Sequence, residues 1–219
     1  MKVYIVRHGE TDHNRQRIYQ GQSDTEINAV GKDQVRKCSR REDLADVEYV
    51  YSSDLKRCRM TSELLFPKHK DCGSIEYDSR SRERYMGALQ GMSIDEGRAS
   101  LAAEHKSTAD FGETKQEMDS RLLSFWDSAI KQVAAENKYE KVCIVTHGGV
   151  INKSLSSLVN ERQTYDFNIP ENAIRVPGNT SVTIVTTDIN SDGELYGTID
   201  LMGDISHLSY HDTVDQELR

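Results

Sequence analysis

The apolar run KVYIV ends in Arg7-His8-Gly9. A strand whose last side chains are a guanidinium and an imidazole, followed by a glycine that lets the backbone turn, presents both groups at the edge of a sheet. Open α/β sheets hold their ligands at such strand ends. The pattern recurs twice: Arg57 follows YSSDLK and His147 follows KVCIVT. If these strands are parallel neighbours, their carboxyl ends converge and bring two guanidiniums and two imidazoles into one pocket. The guest that suits such a cluster is a phosphoryl group, because arginine forks match its oxygens in pairs. Glu83, in RERYMGALQG, would add a carboxylate and complete an acid-base set.

Positioning these residues takes a sheet and helices. Strand-like runs occur at KVYIV, VEYVYSS, SIEYD, KVCIVTH, TSVTIVTTD and ELYGTIDLMG, with helical patterns between the earlier ones. That alternation reads as α/β. The clearest helix is expected over Thr114 to Ala135, where Met118, Leu122, Leu123, Phe125, Trp126, Ile130 and Val133 form an apolar stripe that belongs to the core rather than to a cofactor. Between Gly91 and Gly112 the chain is polar, weakly helical and interrupted by Gly97, which suits a lid over the sheet. The chain thus reads as one domain over residues 1–219 with a short lid insertion at about 92–111. The charged end after Ser206 is expected on the surface, its last residues mobile.

With 219 residues, 36% of them apolar, the chain can bury a core. Its formal net charge of -8 sets a repulsive long-range field against nucleic acid or an anionic membrane, while a few arginines can still hold one small phosphorylated substrate. No apolar stretch approaches the roughly 20 residues of a membrane span, and the first residues lack the h-region of a signal peptide, so a cytoplasmic protein is expected. Cys38, Cys58, Cys72 and Cys143 have neither CxxC spacing nor a secretory setting and read as free thiols, with Cys143 in the core.

RHGETDHN, SSDLKRCRMT, ERYMGALQG and VTHGG, in that order, resemble the four motifs of the histidine phosphatase superfamily, also called the phosphoglycerate mutase-like family. The small fructose-2,6-bisphosphatase-like and fungal broad-specificity phosphatases are the members the chain is most similar to. The resemblance covers nearly the whole chain and implies a three-layer α/β sandwich, with a mostly parallel central sheet flanked by helices. It also implies that His8 is the nucleophile, that Arg7, Arg57 and His147 form the phosphate pocket, and that Glu83 is the proton donor. It implies no metal and no other cofactor. Chemistry supports each role. Two arginines disfavour a cationic His8 and leave it a lone pair for attack on phosphorus. Arg7, Arg57 and a protonated His147 would stabilise the charge that spreads over the phosphoryl oxygens. Glu83 would protonate the leaving alkoxide and then activate the hydrolytic water. Asn14, Gln20, Gly21 and the backbone of Gly148 resemble phosphate- or substrate-binding positions, although Asn14 and Gln20 read equally well as turn formers. Glu10 and Thr11 read as structural.

Blander readings hold elsewhere. His13, His69, His105, His207 and His211 read as surface or hydrogen-bonded residues; His207 and His211 have the spacing of a helical metal pair but no third ligand. The run RKCSRRED reads as a solvated helix face, and Arg82 and Arg84, alternating with Glu83 along an extended segment, read as supporting residues. Three functions fit in descending order: a phosphatase of small phosphate monoesters, a phosphoglycerate mutase dependent on 2,3-bisphosphoglycerate, and a catalytically silent phospho-ligand-binding protein. A mutase needs a water-excluding lid with cations for the glycerate, yet residues 92–111 offer Arg98 and Lys106 against Asp95, Glu96, Glu104 and Asp110. The same acids argue against highly phosphorylated ligands. The presence of His8 and Glu83 argues against a silent protein. A homo-oligomer is left open.

Overall fold

The computed structural model describes residues 1–71 and 73–209. Strand β1, Lys2–Arg7, is buried from Val3 onward, and a strand apolar on both faces belongs inside a sheet covered on both sides. It lies in a seven-stranded sheet with β2 (Tyr49–Ser52), β3 (Ile75–Tyr77), β4 (Lys141–Thr146), β5 (Tyr165–Phe167), β6 (Val182–Ile189) and β7 (Leu195–Asp204). The order is β3-β2-β4-β1-β6-β7-β5. From β3 to β1 all neighbours are parallel; β6 is antiparallel to both β1 and β7, and β5 is parallel to β7. The expected parallel half is therefore present, joined to a mixed half. Only β5 has no counterpart in the sequence reading, because its three residues include a single buried one, Tyr165.

Register sets the site. Arg7 lies opposite Thr146 and Ser52 opposite Val145, so the residues that follow, His8, His147 and Ser53, emerge together at one sheet edge. Alternate side chains supply two cores. On one face Tyr4, Val6, Val50, Cys143 and Val145 pack with Val35 and Cys38 of α1 (Ala29–Cys38) and Cys58 and Leu65 of α2 (Lys56–Leu65). On the other, Val3, Ile5, Val142 and Ile144 meet Phe125, Trp126, Ile130, Val133, Ile151 and Leu155. Each such aliphatic or aromatic side chain contributes about 1.5–3 kcal/mol relative to an exposed one, so the strand ends are held by a core on both sides. Cys38, Cys58 and Cys143 are free and buried, and burial pushes the Cys38 and Cys58 thiols up to about 12.

The intervening helices are α3 (Ile94–Ala103), α4 (Lys115–Phe125) and α5 (Gly148–Ser156). A capping box between Thr114 and Glu117 starts α4. The helical path continues through a wider π turn, Trp126–Ile130, and a last segment, Lys131–Glu136, that stops at Asn137 in the left-handed region. Of the expected stripe, all but Leu123 is buried. Gly97 does not interrupt α3: the helix runs through it, and a Cβ there would lie 2.7 Å from the Tyr19 ring. Nor is RKCSRRED wholly solvated, since Arg41 is a part-buried tie between Asp43 and Asp204 of β7. Cys72, His211 and the chain end after residue 209 lie outside the described residues, and with His211 the second half of the His207 pair. Among the described residues, no helix is long and apolar enough to cross a membrane.

Candidate active site

Arg7, His8, Asn14, Gln20, Gly21, Arg57 and Glu83 line one cavity of about 710 Å³ at the sheet edge described above. Its floor is buried. The His8 Nδ1 lies 2.8 Å from the Gly9 carbonyl. A carbonyl oxygen only accepts, so Nδ1 carries a proton, and in the neutral ring the lone pair falls on Nε2, the geometry a nitrogen nucleophile needs. The peptide after His8 is pinned as well: Gly9 N–H donates to Thr61 Oγ1 of α2, and Glu10 N–H donates to Gln34 Oε1 of α1.

Arg57, in the first turn of α2, is 1% exposed. Its Nη1 donates to the Ser23 carbonyl at 2.8 Å, its Nη2 to the Gly21 carbonyl at 2.7 Å and its Nε to His147 Nδ1 at 3.1 Å. Burial disfavours its charge and pushes its pKa down, but these acceptors partly replace the lost water. One guanidinium thus both lines the cavity and holds the loop that carries Gln20 and Gly21.

His147 differs from expectation. It accepts from Arg57 on Nδ1, so its proton is on Nε2, which donates to Ser53 Oγ at 2.9 Å. Burial first, then the charge of Arg57 beside it, hold its pKa well below the usual histidine value. The ring is neutral and lies beneath the cavity, its centroid 5.3 Å from that of His8. Its contribution in this structure is to orient Arg57, and its burial beside that guanidinium disfavours the cationic form expected from the sequence.

Asn14 and Gln20 hold their turns through their side-chain oxygens. Asn14 Oδ1 accepts from Thr11 N–H at 3.1 Å and from Asn179 Nδ2 at 3.3 Å, and it also lies 3.0 Å from the Thr11 hydroxyl. Gln20 Oε1 accepts from the Thr25 hydroxyl at 2.7 Å. Both residues line the cavity, and with their oxygens occupied the NH₂ groups are the ends that could donate there. Gly148 packs against Arg7, and the amide end of α5, starting at Gly148, adds the positive pole of a nine-residue helix.

Across the cavity, Glu83 Oε1 accepts from the Arg84 amide at 2.9 Å and Oε2 from the Gly149 amide at 3.1 Å. A Cβ on Gly149 would overlap this carboxylate, so a side chain there would push Glu83 aside. What holds Glu83 escaped the sequence reading. Arg121 of α4 donates to the carbonyls of Arg80 and Arg82 at 2.7 Å and of Glu83 at 3.1 Å, and is itself clamped by the Glu113 carboxylate at 2.6 and 2.8 Å. The signal was present: Arg121 falls three residues after Met118 and four before Phe125, on the apolar stripe itself. Arg82 turns away to Asp54 at 2.5 Å. Arg84 also lines the cavity, held by the Glu113 carbonyl and Thr108 Oγ1.

The rim adds Tyr19, Met86, Lys115, Met118, Asn152 and Lys153, none singled out from sequence as binding groups. No residue of 92–111 lines the cavity. The acids of that segment are engaged elsewhere: Asp95 faces Arg17, Glu104 pairs with Lys106, and Glu96 and Asp110 cap their own helical turns. The lining carboxylates are Glu83 and Glu161, and Glu161 is paired with Lys153 at 2.6 Å. The acidic composition of this segment therefore does not argue against polyanionic ligands, because its charges do not face the cavity. Among the described residues, no group of three or more His, Cys, Asp or Glu is arranged to hold a metal ion.

Fold and cavity together define an α/β protein with an anion-accepting site at its parallel strand ends. Residues 3–193 match the histidine phosphatase superfamily (branch 1), and the chain belongs to that family. It is 34% identical over 214 residues to a probable phosphatase of Schizosaccharomyces pombe, covering 97% of this chain and 98% of the relative. It is 35% identical over 226 residues to a broad-specificity phosphatase of Saccharomyces cerevisiae, covering 100% of this chain and 92% of that one. A phosphoglycerate mutase from Bacillus anthracis shares the fold, with a TM-score of 0.72 at 22% identity over 94% of each chain.

Proposed function

We propose that the chain is a phosphatase that hydrolyses small phosphate monoesters through a phosphohistidine on His8. The observation that carries this reading is the contact of His8 Nδ1 with the Gly9 carbonyl, which puts the lone pair of the neutral ring on Nε2, at a cavity lined by Arg7, Asn14, Gln20 and Arg57 as well as His8 and Glu83. Nε2 attacks phosphorus, the ester P–O bond breaks, and Glu83 gives its proton to the departing alkoxide. Water then attacks phosphohistidine, Glu83 takes its proton, and inorganic phosphate leaves with the His8 lone pair restored. The donors need no reorganisation as charge spreads over the phosphoryl oxygens. Both fungal relatives are named as phosphatases, in keeping with this reading.

The segment at 92–111 is read as a lid insertion in a single domain, acting through its contacts with Tyr19 and Arg84. It supplies no cation to the cavity, which favours hydrolysis over a mutase that must clamp a glycerate away from water. Supplied with 3-phosphoglycerate and catalytic 2,3-bisphosphoglycerate, the protein should form little 2-phosphoglycerate while releasing inorganic phosphate from a panel of monoesters. Fast isomerisation with negligible phosphate release would overturn the phosphatase reading in favour of the mutase, and inertness toward every ester would favour a silent binding protein.

A further inference from the structure

Residues 177–181, outside every motif that marks the site, wrap the end of β1. The Pro177 carbonyl accepts from Arg7 Nη1 at 2.8 Å, and the Ser181 carbonyl from the Arg7 amide at 3.2 Å. The Thr180 amide donates to the Arg7 carbonyl at 3.0 Å and lies 3.3 Å from that of His8. One side chain of this strap reaches further. Asn179, 6% exposed, donates from Nδ2 to the His8 carbonyl at 3.0 Å and to Asn14 Oδ1 at 3.3 Å. An amide nitrogen has two hydrogens, one for each acceptor.

We infer that Asn179 is a positioning residue for phosphoryl transfer: its buried Nδ2 fixes the backbone of His8 and the orientation of the Asn14 amide, so that Asn14 presents a donor to the phosphoryl group. This rests on the phosphatase reading. Without Asn179, the Asn14 oxygen keeps only Thr11, and a half-turn of its amide would set an acceptor against an anion. The His8 carbonyl would keep only the longer contact from Thr180. The neighbouring backbone is costly to hold: Thr180 has φ 56, in the left-handed region that β-branched residues rarely adopt. Its hydroxyl contacts His207 Nε2 at 3.1 Å and its carbonyl accepts from Cys38 Sγ at 3.7 Å, so the strap is anchored on the side away from the cavity. A turn over-determined in this way beside a nucleophile is suited to placing atoms.

The test is rapid-quench measurement of phosphoenzyme formation from labelled p-nitrophenyl phosphate, where amplitude counts competent sites and the rate constant reports their geometry. Asn179→Ala should lower the rate constant by about tenfold to a hundredfold, the scale of a small misplacement of reacting groups. Asn179→Asp, of the same size but without the donor, should fall at least as far. In an Asn14→Ala background, Asn179→Ala should cost less than in the wild type. A purely structural role would lower amplitude and leave the rate constant alone. A rate constant within twofold of wild type in Asn179→Ala, or losses that simply multiply with Asn14→Ala, overturns the inference. A wild type that forms no phosphoenzyme overturns the phosphatase reading, and the inference with it.

Discussion

Arg57 and Lys115 both line the cavity, but they are held by opposite means. Arg57 is almost fully buried on a helix packed into the core, with backbone carbonyls and His147 around its guanidinium. Lys115 is exposed at the first turn of α4, where solvent screens it and its long stem is free to move. The same contrast separates floor from rim. The floor residues Arg7, His8 and Arg57, with His147 beneath them, sit on strand ends or the first turn of a helix, fixed by register and by bonds into two cores. The rim residues Tyr19, Lys115, Asn152 and Lys153 come from loops and helix faces. A rigid floor suits a reaction whose charge pattern is always the same, and a looser rim suits alcohols that differ.

The contrast breaks first at Arg57. Arg57→Ala removes the proposed phosphate ligand and takes the guanidinium from the Gly21 carbonyl, so kcat/KM should fall by about a thousandfold or more. Arg57→Lys should recover little, because one ammonium cannot reach three separated acceptors in a fork. Steady-state kinetics on a small monoester check both; a loss under tenfold in the alanine variant would mean that the buried floor is not the phosphate site.

A smaller and more selective effect is expected at Glu83, where floor meets rim. Glu83→Gln keeps the contact to the Gly149 amide but removes the exchangeable proton. Alkyl phosphates, whose leaving groups need that proton, should slow by about a hundredfold, while aryl phosphates should slow less than about fivefold. Equal slowing across a leaving-group series would reduce Glu83 to a binding role and leave the floor without its acid.

The floor was legible in the sequence because Arg7, His8 and His147 each follow an apolar run directly, and chain adjacency survives folding. Arg57 was legible through its motif. What lay hidden depended on who meets whom across the fold. Arg121 meets the Glu83 carbonyl across 38 residues, and Asn179 meets His8 across 171; no local pattern records such pairs. The protonation of His147 depends on its being wholly buried beside Arg57, whereas a motif reveals only residue types. Counting charges in 92–111 misled in the same way, because composition gives number without direction: Asp95, Glu104 and Asp110 all turn toward partners outside the cavity. Gly97 read as a helix breaker because its propensity is poor, but close packing on Tyr19 outweighs a preference of about 1 kcal/mol.

The most direct measurement is to trap the phosphoenzyme and locate its label. A floor built around the Nε2 lone pair of His8 predicts an acid-labile, base-stable phosphate on His8 in the wild type, and neither label nor turnover in His8→Ala. Label that persists in the alanine variant, or that maps to another residue of the wild type, would contradict the account.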